Sequence, residues 1–556
     1  MPHTITRWVL TIATLATVSA ASTTASAATL YVDGTIGPSS CTTYDPATRS
    51  CTGGSATAYS TIDATFPIAT AGDVVLVRAG TYAEGERVGP ANSGRAGAPI
   101  TFRAYPDEAV HIRGTMDPRS EPSTTSSPFD LSGRAFVDIE GFELSNYGLC
   151  IRLDGTTDIN IRRMNIHDCG HGVWITNHSA RVEITDLTSG HNSFRDGGAS
   201  VNIRGASTDV RVERATAANN SGDPAVGAVE GDGFHTDDEG NERLTFIDCT
   251  ATDNEDDGFD ITATDVRIER AISARNIVGF KLWDEHCDPA SCNPSAPMNR
   301  FTLVNVISWA NRETGLFAQN GPNVEIYNSV FANNMYEGVR FVQNRDTFPD
   351  PVATAVMQND IVASNGSWGR RFDSAGADNT DWTFTSDHNV FFANGNGNAV
   401  WSGEDSSTLA SDPQFVDASN GDYHLRASSP AIDSGRDLST MFTTDLENRV
   451  RPAGAGWDRG AYEYGAMSAS DAGTTDAASD AATTDAPSTN DVATSPDAGP
   501  TDARVDAVAN GDAARDGGTG TTPSGCGCRT AGSGRHGFAG IAFALLALVV
   551  GRRRRR

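Results

Sequence analysis

Gly258-Phe259-Asp260-Ile261, Val266-Arg267-Ile268, Ala274-Arg275-Asn276 and Gly279-Phe280-Lys281-Leu282 follow one another in the middle of the chain, and they decide its fold. Each unit has a short alternating strand, then a small-residue strand ending near Asn. Next come Gly, an apolar residue, a variable residue and a second apolar residue. The preceding unit has the same form: Leu244-Thr245-Phe246, Asp253-Asn254, Gly258-Phe259-Asp260-Ile261. Asn254 to Asn276 is 22 residues, as is Asn311 to Asn333, and Asn146, Cys169 and Asn192 are spaced by 23. Larger gaps, such as the one holding Cys287 and Cys292, read as inserted loops. A period in the low twenties with short strands means a solenoid. The Leu pattern of leucine-rich repeats is absent, and helical repeats need longer units. Alternation of apolar and polar residues selects strands. The sequence therefore predicts an all-β right-handed parallel β-helix over roughly 116–400, with the Asn side chains stacked at a bend, each bonding the next rung.

Working outward, Arg7, the apolar run Trp8 to Ala20 and Ala25-Ser26-Ala27 form a secretory signal pattern over 1–27. The run is too short to span a bilayer comfortably. Residues 28–115 should supply the N-terminal cap and first strands. Ser60 to Ala71 is expected as a short helix over the open end, because an uncovered end templates further pairing. Residues 401–466 should close the body. Residues 467–524 are nearly all Ala, Asp, Thr, Gly, Ser and Pro. They hold ten Asp against two Arg between Asp471 and Asp516, which predicts a disordered acidic stalk. Residues 525–556 carry Gly525-Cys526-Gly527-Cys528, an apolar run from Phe538 to Val550 expected as a short helix, and five arginines. The basic end should stay cytoplasmic, so the tail is expected to meet a membrane or cell surface, or to be cut. A net charge of −29 argues against nucleic acid. Nine Cys in an exported chain permit disulfides. Cys41 with Cys51 and Cys287 with Cys292 would each close a short loop. Cys150, Cys169 and Cys249 are left without an assignment. A monomer is expected.

In each Gly-apolar-x-apolar unit the apolar pair should point inward and x outward. The x positions form a column: Cys150, Trp174, His235, Asp260, Lys281, Phe317 and Arg340. Gly231-Asp232-Gly233-Phe234 aligns with Asp256-Asp257-Gly258-Phe259-Asp260. Asp232 should lie one rung from Asp257, and Asp260 one rung from Lys281. Four gathered carboxylates, Asp232, Asp256, Asp257 and Asp260, repel unless a cation sits among them. An all-oxygen set suits Ca2+; a transition metal would call for more His or Cys. The plain alternative is that Asp-Gly pairs are turn residues. Lys281 is the only lysine among 42 Lys and Arg residues. Arg stays protonated in proteins, whereas Lys can act as a base. A simple salt bridge to Asp260 is the competing explanation. Arg340 could bind a uronate carboxylate, Trp174 and Phe317 could stack on sugar rings, and His235 adjoins the cluster.

Four resemblances follow. Asp232-Gly233-Phe234, Asp256-Asp257-Gly258-Phe259-Asp260 and Gly279-Phe280-Lys281-Leu282 resemble the active-site segments of family nine polysaccharide lyases, which are right-handed β-helix pectate lyases. Val74-Val75-Leu76-Val77, Gly80-Thr81-Tyr82 and Gly97-Ala98-Pro99-Ile100-Thr101-Phe102 resemble the opening of such enzymes. Asp412-Pro413-Gln414-Phe415, Asp422-Tyr423-His424-Leu425, Ser429-Pro430-Ala431-Ile432-Asp433 and Gly460-Ala461-Tyr462-Glu463 resemble a closing module of exported β-helix proteins. The tail resembles the Cys-containing sorting signals of myxobacterial surface proteins. The lyase resemblance implies calcium on Asp232, Asp256, Asp257 and Asp260, Lys281 as base, and β-elimination on an acidic polysaccharide. The rung before the lysine is more compact here than the family's, which bears on substrate preference. The alternatives are a glycoside hydrolase or an epimerase on the same fold, and a non-catalytic surface adhesin or glycan-binding protein with structural calcium.

Overall fold

Val266 and Ile268 are buried with Arg267 half-buried between them, and Leu244-Thr245-Phe246 and Val324-Glu325-Ile326 repeat this alternation. It is the pattern of strands with one face on a core. The computed structural model describes residues 27–466, except 86, 118–124, 196, 223–229, 238–239, 285–297, 344–351, 375–381 and 400–405. The signal pattern before Ala27, the Cys287–Cys292 pairing, the stalk and the C-terminal apolar segment lie outside these residues. Among the described residues no helix is long and apolar enough to cross a membrane.

The body is a parallel β-helix. An 11-stranded parallel sheet runs from Phe129–Asp130 to Gly397–Ala399 and includes Asp232–Thr236, Phe259–Ile261, Phe280–Trp283, Leu316–Gln319 and Val339–Gln343. A 24-stranded sheet supplies the other two faces. Three of its strands, Thr157–His167, Ala180–Gly190 and Thr208–Ala218, are 11 residues long. They turn the corner at Arg163, Asp186 and Arg214, each with φ near +50°. In the other rungs the corner separates two shorter strands, as at Asp248 and Arg270.

The asparagine ladder is present, with a corrected membership. Asn192, Asn220, Asn254, Asn276, Asn311, Asn334, Asn365 and Asn394 are all buried or nearly so. Each backbone N–H in the series donates to the next Asn side chain, as in Asn254 N to Asn276 Oδ1 at 2.9 Å. Asn334, not Asn333, follows Asn311. Asn333 has φ +57° and donates instead to Ala418 O and the Tyr423 hydroxyl. The ladder also explains the glycine of the repeat. A Cβ on Gly258 would lie 2.1 Å from Ser273 Oγ and 2.7 Å from Asn276 Nδ2.

The helix expected over Ser60 to Ala71 is not formed; the segment holds one 3-10 turn, Asp63–Thr65. Pro67 has no N–H to continue a helix, and the Ile62 and Asp63 N–H groups are taken by the Glu84 carboxylate. The segment still covers apolar surface, since Phe66 packs edge-on to Phe102 and Phe129. At the other end, residues within 406–466 dock along the flank of the last rungs. Tyr423, Leu425, Ala431 and Ala461 join Ile307, Val330, Ile361 and Val390 in one apolar cluster. Asn305 and Asn328, at the same corner that carries Asp248 and Arg270, donate to Thr444 O and Asp458 O of this segment.

Among the described residues two disulfides are formed. Cys41–Cys51 is as expected, and Cys150–Cys169 joins residues that the sequence left open. Cys249 is a free, buried thiol.

Candidate active site

The 11-stranded sheet carries the exposed column. Its register runs Arg152, Trp174, Asn202, His235, Asp260, Lys281, Phe317, Arg340 and Arg371. Cys150 does not belong to it: Ile151 pairs with Val173, so Arg152 faces Trp174, and Cys150 is fully buried in its disulfide. Asn202 and Arg371 complete the column. Beneath it, Phe234, Phe259 and Phe280 stack with ring centroids 4.8 and 4.9 Å apart. A one-residue slip would turn these rings into water and the Asp and Lys side chains into the core, so the apolar stack holds the site in register.

Asp232, Asp256, Asp260, Lys281, His235 and Trp174 all line one cleft of about 490 Å³, and Asp257 lies buried at its edge. Lys281 Nζ donates to Asp260 Oδ2 at 2.7 Å and lies 3.3 Å from Asp257 Oδ2. The Trp283 indole N–H donates to Asp260 Oδ1 at 2.8 Å. Asp232 Oδ1 accepts the Asp257 N–H at 2.9 Å, and Asp257 Oδ1 accepts the Val278 N–H at 3.0 Å. The rung relations read from sequence, Asp232 beside Asp257 and Asp260 beside Lys281, are therefore present. Phe317 and Arg340 sit one and two rungs beyond Lys281. Arg340 lies over the Phe317 ring and pairs with Asp373 at 2.9 Å, so its charge is already matched in this state.

The electrostatics are lopsided. Burial, then the Asp232 charge, pushes the Asp256 carboxyl up to about 7. Asp257 is also raised well above the carboxylate range, chiefly by burial, with Lys281 pulling the other way. Burial alone would favour neutral Lys281, but Asp260 and Asp257 outweigh it and hold the ammonium's proton more tightly than usual. Burial likewise opposes charge on His235, yet Asp232, 2.8 Å from its Nδ1, raises it to about 9. His171 is buried between Trp174 and Phe194, 4.7 and 4.9 Å from their rings, and burial drops it to about 3.

Donor oxygens of Asp232, Asp256 and Asp257 lie within 4.8 Å of one another, and Asp232, His235 and Asp260 form an overlapping set. Burial chiefly raises Asp256 and Asp257 and the neighbouring carboxylates raise them further, so positive charge placed among them would be favourable. A hard cation with oxygen ligands fits that donor set.

Sequence reasoning missed Glu230, Arg204, Asn202, His171 and Trp283, all on the cleft wall. Trp283 had a signal, standing two residues after Lys281 on the same strand face. Arg204 lies 4.9 Å from the Trp174 ring centroid and pairs with Asp237 at 2.8 Å. It follows the strand Ala199–Ile203 and was invisible as a repeat position.

Residues 43–346 match a family described as Pel9A-like, right handed beta helix region. Residues 299–445 match a second, described as disaggregatase related. Among solved structures, the chain is similar to pectate lyase Pel9A at 17% identity over 79% of this chain and 97% of that one, with a TM-score of 0.48. It is similar to a rhamnogalacturonan lyase at 17% identity, over 70% and 90%, with a TM-score of 0.40. The periplasmic alginate epimerase AlgG follows at 12% identity, over 57% and 77%, with a TM-score of 0.38. No curated protein matches by sequence.

Proposed function

This chain belongs to the Pel9A-like right-handed β-helix family, and on that premise we propose that it is a calcium-dependent lyase cleaving an acidic, pectate-like polyuronate by β-elimination. The observation that carries the proposal is the chain's single lysine held 2.7 Å from Asp260, on the rim of an under-neutralised carboxylate cluster. Asp232, Asp256, Asp257 and Asp260 would hold the ion. Calcium bound there would neutralise the cluster and draw charge from the sugar carboxylate, which acidifies the proton α to it. Neutral Lys281 Nζ takes that proton as general base. The electron pair of the broken C–H bond forms the C4–C5 double bond, the bond from C4 to the glycosidic oxygen breaks, and that oxygen leaves as the new chain end, taking a proton from water. Asp257 and Asp260 hold the Lys281 proton only while their charge is not shared with a cation. Trp174, Phe317, Arg340 and His235 lie along the column where a chain of sugars would run. The protein works outside the cytoplasm as a monomer, and its tail from residue 467 keeps it at a membrane or cell surface.

The test is ultraviolet absorbance of unsaturated products from polygalacturonate at alkaline pH. It compares wild type with Lys281→Arg, in calcium and in chelator. Calcium-dependent absorbance lost in Lys281→Arg supports the reading. Silence across a panel of polyuronates overturns it and leaves a glycan-binding protein with structural calcium.

A further inference from the structure

A second group of ligating side chains lies on the 24-stranded sheet, away from the sheet that carries the cleft. His111, Glu143 and His167 stand on three successive strands, Val110–Arg113, Glu143–Ser145 and the end of Thr157–His167. His167 Nε2 is 3.1 Å and His111 Nδ1 is 3.7 Å from Glu143 Oε1. One donor atom from each residue lies within 4.8 Å of the other two. Tetrahedral bonds of about 2.0 Å place neighbouring donors roughly 3.3 Å apart, so small side-chain shifts would complete such a set.

The hydrogen bonds behind the rings decide which nitrogens face inward. His167 Nδ1 is 2.7 Å from the Asp168 carboxylate, which only accepts, so Nδ1 carries the proton and Nε2 can be bare. Asn146 Nδ2 donates to Met116 O, which fixes its amide and turns Oδ1 toward Ser145. The Ser145 hydroxyl donates to that Oδ1 at 3.1 Å, so Ser145 Oγ accepts from His111 Nε2 at 2.8 Å. His111 is thereby left with a bare Nδ1. With no ion bound, a proton on His167 Nε2 can bridge to Glu143 Oε1 at 3.1 Å; a divalent cation would take that proton's place between two ring lone pairs and the carboxylate. A partner on the far nitrogen of each ligating His is the usual support of a metal site.

We propose that His111, Glu143 and His167 bind a divalent transition ion of zinc's class and staple three successive rungs together. Two imidazoles and one carboxylate suit zinc better than calcium or magnesium. All three side chains are partly exposed, so a fourth position is open to water.

The experiment uses the untagged protein in excess calcium, which fills the cleft carboxylates, and titrates Zn²⁺ by calorimetry. One Zn²⁺ per chain is expected, with a rise in melting temperature. His111→Gln and His167→Gln should each weaken binding by about 100-fold or more. Asp168→Asn, which touches only the far nitrogen of His167, should weaken it by roughly 10-fold. Asp256→Asn should leave it unchanged. Melting without zinc checks that each variant is folded. Cobalt(II) in place of zinc should give the visible absorption of a low-coordinate site, lost in His167→Gln. Failure of the wild type to bind zinc at about 100 μM, or binding that survives the His111→Gln/His167→Gln double variant, overturns the proposal and leaves a His167–Glu143 ion pair.

Discussion

Two places on this β-helix stack charged side chains on neighbouring rungs, and they handle the charge in opposite ways. At one corner Asp158, Arg181, Asp209, Arg243, Asp265 and Arg300 alternate in sign up the stack. Arg181 grips Asp158 through two bonds of 2.8 and 2.7 Å, and Arg243 grips Asp209 through 2.7 and 2.9 Å. Arg275 does the same to Asp253 at another corner. Rungs about 4.8 Å apart suit the planar guanidinium fork, which accounts for a chain whose cations are Arg with one exception. In the cleft, Asp232, Asp256, Asp257 and Asp260 face Lys281 and His235 instead, and the carboxylates remain in excess. The comparison teaches that a carboxylate with its own arginine belongs to the scaffold, whereas carboxylates left short of positive charge mark a place for a cation.

The largest effect should come from the exception itself. Lys281→Arg keeps the positive charge but removes the group that can lose its proton. Lyase turnover should drop by about 10²–10⁴-fold, measured as unsaturated product. Melting in calcium should change little. Turnover in the wild type should rise toward alkaline pH, because the base must be neutral and a lysine's reference value is about 10.4. A flat profile down to pH 5 would remove Lys281 as the base.

Next is the charge excess in chelator. The folded Asp256 carboxyl at about 7 lies above its unfolded value, near 3.9. Its protonated form is the favoured one in the fold. That contribution is therefore fully present below about pH 4 and is lost as pH rises through about 7. The loss should reach up to roughly 4 kcal/mol. Calcium should abolish this fall in melting temperature, and Asp256→Asn should flatten it without calcium. No pH slope in either protein would mean that the cluster is neutralised by something else.

The scaffold should answer differently. Asn276→Ala removes three rung-to-rung bonds and leaves the buried Asn254 N–H without its acceptor. Denaturant unfolding should show a loss of about 1–3 kcal/mol, with no calcium dependence. The smallest effect is at the exposed ladder. Arg275→Lys should cost less than about 1 kcal/mol, and salt should erase the difference. A larger, salt-resistant cost would make the corner ladders more than surface charge matching.

How much was legible follows from what kind of information each feature needs. Asp260 beside Lys281 could be read because both sit third in Gly-Phe-x-apolar units with no insertion between them. Cys150 was placed in the column by the same rule and does not belong there. Its unit slides by two residues against the next, which keeps every side chain on the same face, and a period-two pattern cannot distinguish that slip without the pairing partner. Asn333 and Asn334 posed the same problem: two adjacent asparagines fit the spacing, and only the docking of residues near Ala418 and Tyr423 shows which one left the ladder. Asn220 was missed because the gaps on either side of it are 28 and 34 residues, outside the apparent period.

The sequence by itself determined the architecture, the rung order around Lys281 and the identity of the carboxylate cluster. Those depend on local alternation and on repeats that recur at a nearly constant spacing. Only the tertiary structure decided that Cys150 joins Cys169, what Ser60 to Ala71 becomes, where the closing segment rests, and that His111, Glu143 and His167 meet. Those depend on how far each inserted loop shifts one rung relative to the next. A hydrogen bond between rungs joins residues that are tens of positions apart, and no local pattern records that distance.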